Sequence, residues 1–214
     1  MNLNVLYEDQ HIIVVVKPSG ILSQEDSTKD PDMLTLIKDY IKIKENKPGN
    51  VFLGLVHRLD RMTSGIMVFA KRSKAAAKLQ KQIEEKNFKK SYLALVEGKI
   101  NNNGHLENYL SKNEKEVKSY ITNKNQGKFA SLDYELVSYE NNNSLVKVYL
   151  HTGRHHQIRV QMAGINHPLV GDNLYGSKIK TNLKLHAYKL EFLHPMTNEK
   201  LIFENYPNWL QGGK

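Results

Sequence analysis

The chain has 214 residues, enough for a single domain with a substantial buried core. Lys and Arg number 31 against 22 Asp and Glu, a net charge of +9 that points to nucleic acid as a partner. Cysteine is absent, which excludes disulfides, thiolate zinc sites and a thiol nucleophile, and suits an intracellular protein. The opening Met1-Asn2-Leu3-Asn4 lacks the basic region and apolar core of a secretory signal. No apolar run reaches bilayer length, so the expected location is cytoplasmic.

In chain order, Leu3 to Tyr7 and Ile12 to Val16 read as two short β segments around a Glu8-Asp9-Gln10 turn. The second run is apolar throughout, as expected of a strand buried on both faces, and stops at the turn signal Lys17-Pro18-Ser19-Gly20. Residues 31 to 43 predict a helix. Asp30 or Asp32 can cap it, and Met33, Leu36, Ile37, Tyr40 and Ile41 share one face. Apolar Val51 to Val56 leads into His57-Arg58-Leu59-Asp60-Arg61-Met62-Thr63-Ser64-Gly65. This stretch sets one carboxylate between two guanidinium groups, which hold it ionised. A Thr-Ser-Gly turn is expected next, then a strand at Ile66 to Ala70. Such a tetrad alone is more often a salt-bridged surface loop than a functional site.

Ser73 is the expected cap of a second helix, Lys74 to about Lys86, with Ala75, Ala76, Leu79 and Ile83 as its apolar stripe. A strand at Tyr92 to Val96 follows. Residues 101–127 are rich in Asn, Lys and Glu and read as a polar hairpin-like excursion, not a separate domain. Its Lys112, Lys115, Lys118, Lys124 and Lys128 can track a phosphate backbone or form a solvated face. Strands around Ser131 to Tyr139 and Leu145 to Leu150 precede a second dense cluster, Thr152-Gly153-Arg154-His155-His156-Gln157-Ile158-Arg159. Thr152 is placed to cap a helix, and His155 and Arg159, four apart, to share a face. The donors here suit phosphate, or pairing of an Arg with a buried carboxylate. Zinc on His151, His155 and His156 lacks a completing carboxylate-and-His pattern, so no metal is expected. Asn166 to Gly176 reads as a structural loop, and Leu185 to Leu193 as a closing strand, with a last short one at Ile202 and Phe203.

Five blocks occur in order: HRLDRMTSG; KKSYLALVEG at Lys89 to Gly98; TGRHHQIRV; NHPLVGDNLYG; and LHAYKLEFLHP at Leu185 to Pro195. Together with the opening VLYEDQHIIVVVKPSG, this set resembles the RluA-type pseudouridine synthases over roughly residues 3 to 207. Three positions depart from the family pattern: Val16 stands where Asn is usual, His155 where Thr is common, and Gln161 where His is common. No S4-like RNA-binding domain is visible, so the chain is expected to be a stand-alone catalytic domain, residues 1–214.

The resemblance implies an α+β fold: a mixed, largely antiparallel bent β-sheet with flanking helices and a central RNA-binding cleft. It implies isomerisation of uridine to pseudouridine in ribosomal or transfer RNA, without metal or organic cofactor, by a monomer with no obligatory protein partner. Asp60 matches the catalytic carboxylate, Tyr92 the active-site tyrosine that stacks on the base, and Arg159 the cation that pairs with the Asp. Arg58 matches the arginine that fills the space left by the flipped nucleotide. Arg154 and Gln157 are assigned to phosphate or pocket contacts. The rival from another class is a catalytically inactive RNA-binding protein of the same fold, against which the intact Asp60, Tyr92 and Arg159 argue. A kinase reading of HRLD fails, because Ser64 stands where a kinase loop has Asn and no glycine-rich phosphate loop precedes it.

Overall fold

The computed structural model describes residues 3–210. Its first half contains strands β1 (Asn4–Glu8) and β2 (Ile12–Lys17), helix α1 (Met33–Lys44), strands β3 (Gly54–Leu55) and β4 (Ser64–Ala70), and helix α2 (Ser73–Glu84). Then come β5 (Lys89–Glu97), β6 (Asn103–Asn113), β7 (Lys118–Thr122), β8 (Lys128–Glu140) and β9 (Asn143–Leu150). Helix α3 (Gln157–Gly164) and strands β10 (Leu185–Leu193) and β11 (Lys200–Glu204) complete the α+β set. The chain divides into two compact units, residues 1–90 with 187–214, and residues 91–186. No helix among the described residues is long and apolar enough to cross a membrane.

In the first unit β2 lies between β1 and β4, antiparallel to both. The uninterrupted Ile12-Ile13-Val14-Val15 run is buried on both faces, as the unbroken apolar sequence requires. Ile12 and Val14 join Ile66, Val68, Leu79, Phe88 and Phe192 in one core cluster. Helix α2 contributes Ala75 and Leu79 to it, while α1 buries Met33, Ile37 and Ile41. Asp32 caps α1 by accepting the Thr35 N–H at 3.1 Å. The expected Ser73 cap is not formed: Ser73 is already helical, and Arg72, at the cap position, makes no side-chain cap bond. The apolar run before His57 yields only the two-residue β3, paired with Phe69 and Ala70. Gly54 is pressed so close to α2 that a Cβ there would stand 3.0 Å from the Ala76 methyl.

The second unit is an antiparallel sheet in which β5 pairs with β9, β9 with β8, β8 with β6, and β6 with β7. Within the polar stretch 101–127 β6 pairs antiparallel with β7, and β6 is rooted in the sheet by its pairing with β8 from Asn103 to Leu110. Its polarity follows from strand periodicity, since alternate residues of β6 face solvent. Leu110 points inward and packs with Ala130 and Val160.

Candidate active site

The turn opens at Asp60 itself, three residues ahead of the expected Thr63-Ser64-Gly65 turn. Thr63 N–H donates to the Asp60 carbonyl at 3.0 Å, so Asp60 opens a turn through Arg61 and Met62. Asp is favoured at that first position because its short polar side chain supports the bend. Ser64 and Gly65 already belong to β4. Gly65 has φ +130°, and a Cβ there would run into the Ala187 backbone, so this position requires glycine.

The Asp60 turn is fastened by the segment that follows β2. Lys17 is fully buried, and its ammonium donates to the carbonyls of Pro18 at 2.9 Å, Ile21 at 2.7 Å and Arg61 at 3.0 Å. Three acceptors match its three N–H groups. Burial pushes Lys17 down to about 7, while the Asp60 carboxylate pulls it up and Arg61 opposes. Gly20 N–H donates to the Arg61 carbonyl at 2.9 Å, and Ser19 Oγ to that of Met62 at 2.8 Å. Ser23 Oγ both donates to the Leu59 carbonyl at 2.8 Å and accepts its N–H at 3.0 Å. From below, the buried His57 accepts the Val68 N–H through Nε2 at 3.2 Å and packs on Phe88. Burial, with Lys90 adding repulsion, holds His57 well below its ordinary value and therefore neutral. Arg61 is turned aside to Asp30, at 2.8 Å, and to the Gly20 carbonyl, while Arg58 is exposed.

Arg159 is built differently. It is buried in α3, and its Nε and Nη2 donate to the two oxygens of Asp172 at 2.7 and 2.8 Å, a forked ion pair. Its Nη1 lies 2.7 Å from His156 Nε2. A guanidinium can only donate, so Nε2 accepts and the proton sits on Nδ1, 3.0 Å from the Tyr175 hydroxyl. Burial, then the nearby positive charge of Arg159, pushes His156 down to about 3. The guanidinium also lies over the Tyr175 ring at 5.1 Å.

Thr152 does not cap α3. The cap position is His156, in the left-handed region at φ 53°, and Thr152 is occupied elsewhere. Its hydroxyl donates to Gln157 Oε1 at 2.8 Å and accepts the Ser131 N–H at 3.0 Å. His155 lies before the helix, bonded to Ser119 and stacked on His156, so it is His156 that shares bonds with Arg159. Gln157 is 2% exposed, and its amide accepts from Thr152 and Arg154 N–H while donating to the Ser131 carbonyl. The structure thus gives Gln157 the task of shaping the 152–157 loop. Arg154 is exposed, with Nε on the Phe129 carbonyl at 2.8 Å. Tyr92 is 5% exposed in β5, opposite Val148 of β9. Sequence reasoning missed Lys17, Asp172 and Tyr175 as the residues that hold these charges. The available signals were a lysine directly abutting an apolar run, and an acid within the glycine-rich 171–176 loop.

Two solved structures define the class of fold. Human RNA Pseudouridylate Synthase Domain Containing 4 matches with a TM-score of 0.81 at 20% identity, covering 97% of this chain and 90% of that one. Human RNA Pseudouridylate Synthase Domain Containing 1 matches with a TM-score of 0.79 at 23% identity, covering all of this chain and 86% of that one. The fold is that of the pseudouridine synthases. A family model described as RNA pseudouridylate synthase matches residues 11–164, and the chain belongs to that family. Ribosomal large subunit pseudouridine synthase D of Borreliella burgdorferi is 35% identical over 213 residues, covering 95% of this chain and 65% of the relative. Ribosomal large subunit pseudouridine synthase C of Buchnera aphidicola is 35% identical over 227 residues, covering 97% of this chain and 70% of the relative. The chain thus spans about two-thirds of the length of these relatives.

Proposed function

We propose that this protein is an isomerase that converts uridine to pseudouridine in large-subunit ribosomal RNA. The substrate class is supported by the names of the two bacterial relatives, and the +9 charge suits a polyanion. In the reaction the N1–C1′ bond breaks, C5 bonds to C1′, C5 releases a proton and N1 takes one up. Asp60 supplies the anionic oxygen that acts on the ribose as the glycosidic bond breaks. The observation that carries this assignment is the clamped turn: five hydrogen bonds tie Lys17, Ser19, Gly20 and Ser23 to the backbone on either side of Asp60. Two further Lys17 bonds, to the Pro18 and Ile21 carbonyls, brace the clamping segment itself. Reattachment within one pocket depends on held geometry, which such a clamp provides.

Tyr92 stacks on the flipped base and takes the C5 proton, and Arg159 is the cation that keeps Asp60 ionised. Arg58 enters the space the nucleotide leaves, offsetting part of the few kcal/mol that extrusion costs. Arg154 contacts phosphate, and Gln157 serves RNA by holding the loop that presents Arg154. The test is tritium release from transcripts of large-subunit ribosomal RNA fragments carrying C5-labelled uridine, with transfer RNA transcripts in parallel. Release from the ribosomal fragments is expected. Release from transfer RNA alone would overturn the substrate, and none from either would leave the binding-only protein.

A further inference from the structure

His151 does not group with His155 and His156; it meets a histidine 46 positions upstream. In the β6–β8 register His105 stands directly opposite Asp133, and in the β8–β9 register Asp133 stands opposite Tyr149. His151 is two residues beyond Tyr149, on the same side of the strand path, and its N–H continues the ladder by donating to the Ser131 carbonyl at 3.1 Å. Three strands therefore present His105, Asp133 and His151 together. His105 Nδ1 is 2.5 Å from Asp133 Oδ1, and His151 Nε2 is 2.6 Å from Asp133 Oδ2. One ligand atom from each residue falls in a group no wider than 4.8 Å.

We propose that His105, Asp133 and His151 form a binding site for a borderline divalent transition metal such as zinc, with Glu107 orienting His105. Two imidazoles and a carboxylate are a donor set that zinc accepts, with a solvent molecule in the fourth position. Ligand atoms around a tetrahedral zinc stand roughly 3.4 Å apart. The short carboxylate contacts and the 4.8 Å envelope bracket that spacing, and side chains about half exposed can rotate to close it. Glu107 supplies a separate indication. Its Oε1 lies 3.0 Å from His105 Nε2, the nitrogen that faces away from Asp133. Metal entering at Nδ1 displaces the proton that His105 shares there with Asp133, while Glu107 keeps the proton on Nε2, the carboxylate–histidine–metal arrangement of established zinc sites. Bound metal would tie β6, β8 and the end of β9 together across the sheet.

The test is calorimetric titration of the untagged full chain with zinc chloride. One zinc per chain is expected, with a rise in the thermal midpoint on binding. His105→Ala and His151→Ala should each weaken binding at least ~10-fold, and Glu107→Gln by about 10-fold. Circular dichroism checks that each variant is folded, and His105→Asn replaces the alanine if it is not. Magnesium, which prefers an octahedron of oxygens, should not compete. Absence of saturable binding, variants that bind like the parent protein, or displacement by equimolar magnesium would each overturn the site.

Discussion

The stretches around Asp60 and Arg159 each hold one charged side chain, and they do so by opposite means. Around Asp60 the clamp acts on the main chain: Lys17, Ser19, Gly20 and Ser23 bond to the backbone of Leu59, Arg61 and Met62. Around Arg159 the main chain is an ordinary helix and the head group is clamped, with Asp172 on two nitrogens and His156 on the third. The acidic stretch thus gains a fixed platform from which side chains 58, 60 and 61 project. The basic stretch gains a fixed guanidinium orientation. Both use a buried histidine kept neutral, His57 beneath one and His156 beside the other, because an imidazole that must accept an N–H cannot also carry a second proton.

The comparison breaks most sharply at Asp172. Asp172→Ala leaves a buried guanidinium without its forked partner and should destabilise the fold by about 3–5 kcal/mol, read by urea unfolding. Lys17→Met keeps the side-chain length but strips the ammonium from the Pro18, Ile21 and Arg61 carbonyls, of which Arg61 keeps the Gly20 N–H. A loss of roughly 2–3 kcal/mol is expected, with isomerisation falling in the fraction that stays folded. A main-chain clamp that mattered little would instead leave the activity of the folded fraction intact.

His156 sharpens the comparison through pH. Its folded value is about 3 against an ordinary 6.5, so the unfolded chain binds more protons between those values. Stability is therefore lost as pH falls from about 6.5 towards 3. His156→Gln can accept from Arg159 and donate to Tyr175 without titrating. Between pH 7 and 5 the parent protein should lose roughly 2 kcal/mol more than this variant. His57 titrates alike in both and cancels from the difference. The smallest effect is expected at the exposed Arg58: Arg58→Ala should lose several-fold more activity on folded RNA than on an unstructured oligonucleotide. Equal losses would remove its space-filling role.

Much of this architecture is legible in the sequence, because periodicity reports burial directly. The buried run Ile12 to Val15 and the α1 stripe of Met33, Ile37 and Ile41 are each written locally. The ordered motifs likewise point to the family without structural help. What stays hidden depends on side chains meeting across long sequence separations. Lys17 reaches Arg61 over 44 positions, and Asp172 pairs with Arg159 from a loop that reads only as turn residues. The expected cap at Thr152 fails for the same reason, since its hydroxyl is drawn to Ser131, 21 residues away in a neighbouring strand. Local propensity cannot see such competing partners. The turn stands three residues ahead of the expected Thr63-Ser64-Gly65, and Gly65, in β4, serves close approach to Ala187 instead of turning.

The proposed chemistry rests on the clamped Asp60 carboxylate. Single-turnover tritium release by Asp60→Asn, with RNA affinity measured on the same preparation, tests it most directly. The substitution is nearly isosteric and touches none of the backbone bonds around the turn. The account predicts loss of release with affinity within a few-fold of the parent protein. Release at the parent rate by a folded Asp60→Asn variant would contradict it.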